Sequence, residues 1–132
     1  MFDAIVITAI APLGSLKMPN LISFSLANAA TLAAAAAFLL GSVANASARK
    51  PIREEFVRYG FPWWWCWVTA LLELMTAVLL VLRPTFTAGV ALGSCIMVTA
   101  IVAILRAGDV RHLLPPAAFL LLLLIAAFVQ FS

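Results

Sequence analysis

Five acidic residues occur in the 132-residue chain, and one of them, Glu73, stands in the middle of an otherwise uncharged apolar run from Trp63 to Leu82. In a helix rising about 1.5 Å per residue, its place between Trp63 and Arg83 puts it roughly 15 Å from either end, close to the middle of a bilayer. Insertion scales put the penalty for a charged side chain at a helix centre at about 2.5–3.5 kcal/mol, so such residues are kept for a partner or a task. No basic residue is expected at that depth. The polar groups expected near it are the neutral side chains of Thr69, Thr76, Ser94, Cys95 and Thr99. A carboxyl desolvated without a counter-charge favours its neutral form, so Glu73 is expected to donate a hydrogen bond or a proton at neutral pH. The bland alternative is a structural one, in which the carboxyl ties its helix to the neighbours by hydrogen bonds worth about 0.6 kcal/mol on average.

A second group of polar residues falls at a helix end. Asn45, Arg106 and Asp109, with Glu54 or Glu55, are expected to cluster there, although such loop charges usually pair weakly at a surface. Aromatic residues lie close by in Phe61 and in the WWWCW run. Trp63, Trp64, Trp65 and Trp67 read first as a belt at the headgroup level. Phe61, Trp64 and Trp67 are also candidates for the wall of a ligand entrance. The candidate ligand-binding set is therefore Asn45, Phe61, Trp64, Trp67, Thr69, Thr76, Cys95 and Thr99, around Glu73 as the catalytic candidate.

The elements that position these residues follow from composition. The chain is 66% hydrophobic and 10% charged, with a mean hydropathy of +1.17, far from the half apolar and quarter charged of ordinary domains. A soluble enzyme is excluded. The eight basic residues form no stripe of the kind a nucleic-acid partner would need. Cys66 and Cys95 make no CxxC pair, and no cluster has metal-ligand spacing, so no metal and no cofactor is expected. His112 is the single histidine, which excludes bis-histidine haem ligation.

Apolar runs of membrane-spanning length cover about 21–48, 63–82, 85–105 and 113–131. The expected fold is all-α, an integral membrane four-helix antiparallel bundle. Residues 1–20 are read as a surface or re-entrant segment, with a tilted extra crossing as the alternative, and 21–132 as the transmembrane domain. Pro51 to Tyr59 places Ile52, Phe56 and Tyr59 at helical spacing, and predicts a short interfacial helix closed by Gly60 and Pro62. Six of the eight basic residues fall in 49–62 and 106–112, which the positive-inside rule assigns to the cytoplasm. Helices associate in lipid through small residues, and Ala33, Ala37, Gly41 and Asn45 on span one, and Gly89 with Gly93 on span three, are the candidate packing faces.

Several of these features in order resemble the DoxX-like family of small four-helix membrane proteins over roughly Leu32 to Ala127. The matching residues are Asn45 at the end of span one, Glu54 to Phe56, Tyr59 to Pro62, Leu71 to Leu74 (LLEL), Leu105 to Asp109 (LRAGD) and Pro115-Pro116. Where the pattern commonly carries a histidine before Leu-Arg, this chain has Ile104. The resemblance implies a four-helix membrane protein, some of whose relatives work with oxidoreductases that pass electrons to quinone.

Two functions follow. In one, the bundle encloses a lipophilic small molecule (quinone, prenyl or polycyclic), with cofactor-free acid catalysis by Glu73 such as isomerisation, cyclisation or epoxide opening, and aromatic faces stabilising cationic character. In the other, the protein is a non-catalytic membrane subunit that anchors a soluble oxidoreductase on its basic face and links it to the quinone pool. The lipid bilayer is a partner in both, and a homo-oligomer is compatible with either. Transport finds less support, because one mid-membrane carboxyl in a short chain lacks the repeated broken helices of most transporters.

Overall fold

A computed structural model describes residues 18–131, so the segment expected over 1–20 lies outside the described residues except for its last three, which are helical. Among the described residues five α-helices follow one another: α1 Met18–Ala46, α2 Lys50–Arg58, α3 Trp65–Val81, α4 Phe86–Ala107 and α5 Leu114–Phe131. Three-residue 3-10 turns, Arg83–Thr85 and Val110–His112, lead into α4 and α5. Among the described residues there is no strand. Segments Ser25–Ala46, Arg83–Ala107 and Val110–Phe131 are long and apolar enough to cross a membrane, while Trp65–Val81 is apolar but only 17 residues long.

The four long helices pack in a ring: α1 lies against α3 and α5, and α4 against the same two. The helices end where the breakers sit, at the limits of the apolar runs. Pro51 occupies the first turn of α2, where its missing N–H costs nothing. At the end of α2, Gly60 adopts a left-handed φ of +91°, with Gly60 N–H donating to Val57 O and Phe61 N–H to Phe56 O. The end of α4 repeats the motif: Gly108 has φ +72°, its N–H donates to Leu105 O, and Asp109 N–H donates to Ile104 O. Both are glycine-terminated caps that satisfy the last helix carbonyls. Between α3 and α4 the Thr85 hydroxyl donates to Leu79 O at 3.0 Å, closing the tight turn at Arg83-Pro84.

The core lies on the ring axis and is built from Ala34, Phe38, Ala77, Leu80, Phe86, Met97, Leu123 and Ala126. Gly89 and Gly93 do pack closely. A Cβ on Gly89 would lie 2.9 Å from the Leu80 backbone N, and one on Gly93 would meet Leu123, Thr76 and Phe38 at 2.8–3.0 Å. On α1 the buried face is Ala27, Thr31, Ala34, Ala35, Phe38 and Ser42, whereas Ala33 is exposed and Ala37, Gly41 and Asn45 lie at the edge. That expected stripe is therefore rotated. A run of five alanines carries no periodic signal, so the register is fixed by Phe38 inserting into the core and by the Ser42 hydroxyl donating to Ala70 O at 2.7 Å.

Candidate functional site

At the end of the ring covered by α2, the helices enclose a cavity of about 580 Å³. Trp65, Thr69 and Glu73 reach it from one stripe of α3, Gly41 and Asn45 from α1, and Cys95, Ile96 and Thr99 from α4. Phe119 closes the α5 side, and Phe56, Tyr59 and Phe61 cover the end.

Glu73 forms the floor. It is 5% exposed, and its Oε2 accepts a hydrogen bond from Asn45 Nδ2 at 3.0 Å. None of the ion pairs among the described residues involves it. Gly41 makes the room: a Cβ there would fall 2.9 Å from Glu73 Oε2 and 3.2 Å from the Phe119 ring. The carboxyl thus rests against bare backbone of α1, held by a neutral amide one helical turn away.

A polar cluster joins α2 to the turn before α5. Its centre is Asp109, whose Oδ2 accepts from Tyr59 Oη at 3.0 Å and lies 2.8 Å from His112 Nδ1 and 3.5 Å from Arg58. The other imidazole nitrogen, Nε2, lies 3.3 Å from Glu55 Oε1. The two glycine caps produce this convergence: Tyr59 immediately precedes Gly60, Asp109 immediately follows Gly108, and each left-handed turn swings its neighbour toward the other. The His112 hydrogen bond, with the Tyr59 bond and the Arg58 charge, holds the Asp109 carboxyl below its ordinary range despite the opposing effect of desolvation. Burial, the bond to Asp109 and the nearby carboxylates raise the Tyr59 phenol to about 12, so it remains a donor.

The candidate residues divide by helix face. Asn45, Phe61, Thr69, Cys95 and Thr99 line the cavity with Glu73. Trp64 and Trp67 do not: they are 44% and 50% exposed, Trp64 standing just before α3 and Trp67 on another side of it. The indole that does reach the cavity is Trp65, stacked on Phe61 with ring centroids 5.9 Å apart. Its signal is present in the sequence, since 65, 69 and 73 are spaced by four, whereas 64 and 67 fall off that stripe. Thr76 is wholly buried below the cavity, its hydroxyl donated to Leu72 O at 2.9 Å. Of the expected polar cluster, Asp109 and Glu55 take part. Glu54 faces Lys50 at 3.9 Å on the exposed side of α2, Arg106 is exposed, and Asn45 points to Glu73 instead. Tyr59 and His112 are the members that sequence reasoning missed. No group of His, Cys, Asp and Glu among the described residues could hold a metal ion.

The family model of the DoxX-like family matches residues 29–126, well over half of the chain. The chain belongs to the DoxX-like family. No curated protein and no solved structure matches it. The match takes in α2, α3 and α4 whole, together with Asn45, Glu73, Asp109 and every other residue of the cavity wall, and leaves out residues 18–28 of α1 and 127–131 of α5. With three helices apolar and long enough to cross a bilayer, this DoxX-like chain is an integral membrane protein.

Proposed function

We propose that this DoxX-like protein binds a lipophilic small molecule in the cavity beneath α2, with Glu73 as the group that hydrogen-bonds or protonates it. The observation that carries the reading is the buried Glu73 carboxyl on the floor of an apolar cavity, hydrogen-bonded by the neutral Asn45 amide and joined by no ion pair among the described residues. A structural tie would not need empty space beside the carboxyl, and a cavity of 580 Å³ is in the range of small-molecule sites. The π-faces of Trp65 and Phe61 suit a quinone ring, a prenyl chain or a polycyclic skeleton. They would also stabilise positive charge developing on it. The chemistry that one such acid supports without a cofactor is isomerisation, cyclisation or epoxide opening.

In this reading all four long helices span the bilayer, α3 being extended to spanning length by Trp63, Trp64 and Leu82. The amphipathic α2 lies in the cytoplasmic interface with residues 49–62 and 106–112, and copies of the chain can associate through their remaining lipid-facing sides.

The test is to purify wild type and Glu73→Gln in mild detergent, extract both, and search by mass spectrometry for a retained molecule other than phospholipid. A compound enriched on wild type and depleted from the variant is expected. Phospholipid alone on both refutes the proposal, and leaves the exposed basic residues Arg49, Lys50 and Arg53 as the docking face of an oxidoreductase partner.

A further inference from the structure

The cavity is closed differently toward α2 and along the seam between α3 and α4. Toward α2 it is shut by charge: Arg58, Tyr59 and His112 converge on Asp109, and His112 also faces Glu55. Along the seam between α3 and α4 there is no such closure. The two helices touch at Gly89, where a Cβ would meet the Leu80 backbone N at 2.9 Å, and at Gly93, where it would meet Thr76 Cγ2 at 2.9 Å. Further along α4, toward α2, residues on the same side of the helix line the cavity opposite Leu72, Thr69 and Trp65. The pair is thus a wedge with its apex at Gly89. Cys95 and Thr99 stand in the open part, and each both lines the cavity and is exposed on the outer surface. The rim they form carries no charge, and the Thr99 hydroxyl is turned back to Cys95 O at 2.7 Å. Both lie near the middle of the membrane-crossing helix α4, at the depth of acyl chains.

We infer that the cavity opens sideways into the bilayer between α3 and α4, at Cys95 and Thr99, and that its ligand is a lipophilic molecule dissolved in the membrane, entering by this slot. The inference rests on the cavity reading above and adds the route its ligand takes. A water-borne solute would have to separate the contacts gathered on Asp109. A lipid meets only the thiol, a methyl group and aliphatic side chains.

The test uses the full chain in lipid nanodiscs containing cetyl alcohol that carries a diazirine, illuminated at increasing times after mixing, with adducts mapped by mass spectrometry. Adducts on Thr69 and Phe119, inside the cavity, are expected in wild type. Cys95→Trp and Thr99→Trp are each expected to slow their appearance about ten-fold, equivalent to a barrier raised by ~1.4 kcal/mol. Val98→Trp, on the outer face of α4, is expected to leave the rate unchanged. Either slot variant suffices should the other fail to fold. Equal rates in wild type and both slot variants, or faster entry in Asp109→Asn, overturn the lateral route while leaving the cavity reading intact. Absence of interior adducts in wild type overturns both.

Discussion

Replacing Gly41 by alanine tests whether the glycine exists to seat the Glu73 carboxyl. The new Cβ would lie 2.9 Å from Glu73 Oε2, so the carboxyl must retreat about 0.5 Å to reach the 3.4 Å at which ordinary contact begins. That movement stretches the 3.0 Å bond from Asn45 to the edge of hydrogen-bonding range. Losing an interhelical hydrogen bond in a membrane protein costs about 0.6 kcal/mol on average and up to about 1.7. Overpacking adds about 1–3 kcal/mol, part of it from the Phe119 ring, which the Cβ would meet at 3.2 Å. The expected destabilisation of Gly41→Ala is therefore about 2–4 kcal/mol, read from unfolding in mixed micelles of increasing dodecyl sulfate fraction. A double-mutant cycle separates the two contributions. In a Glu73→Ala background the Phe119 contact persists but the carboxylate clash is gone, so a coupling of about 0.5–2 kcal/mol is expected. An equal cost for Gly41→Ala in both backgrounds refutes the argument.

Gly89→Ala places a Cβ against the backbone of Leu79 and Leu80. No side-chain rotation relieves that, so a loss of about 1–3 kcal/mol in the same unfolding assay is expected, and a neutral result would show that α3 and α4 separate freely. Tyr59 is the single tyrosine, which makes its phenolate absorbance a clean probe. Its titration midpoint is expected near 12, and to fall toward the ordinary tyrosine range in Asp109→Asn, where an unchanged midpoint would deny the coupling. The Tyr59 phenol is raised, so its contribution to holding α2 is full below an ordinary tyrosine pKa of about 10, and is lost as pH rises through about 12. The Asp109 carboxyl is lowered, so its contribution is present above an ordinary aspartate pKa of about 3.9 and lost as pH falls through its lower folded value. Near-UV circular dichroism of the stacked Phe61 and Trp65 should accordingly decline as pH falls below about 4 and as it rises above about 10. A signal unchanged at both extremes would deny that the Tyr59 and Asp109 contacts hold α2 over the cavity.

The helices were legible from the sequence because their limits are set locally. Apolar runs long enough to cross a bilayer end at Arg49-Lys50-Pro51, Arg83-Pro84 and Gly108, and the short α2 ends at Gly60, where charge, a missing N–H or a left-handed φ stops any helix whatever surrounds it. Glu73 was legible for a related reason: a carboxyl in the middle of an apolar segment stands out before any partner is known. The close approach at Gly89 and Gly93 also followed from spacing, since two glycines one turn apart leave a groove on one face.

What tertiary structure alone decided is which faces meet. The five alanines from Ala33 to Ala37 look alike around the helix, so only the docking of Phe38 and Ser42 fixed the rotation of α1 and brought Asn45 to Glu73 rather than to Arg106 and Asp109. The four indoles of the WWWCW run are equivalent as interface anchors, and only the placement of α3 against α1 and α4 turned Trp65 inward and left Trp64 and Trp67 outside. Glu55, Tyr59, Asp109 and His112 are separated by up to 57 positions and no local pattern joins them; two glycine-terminated helix ends folding toward each other do. Local chemistry determines where a membrane helix starts and stops, while a site built across helices depends on their rotation, which side-chain packing settles.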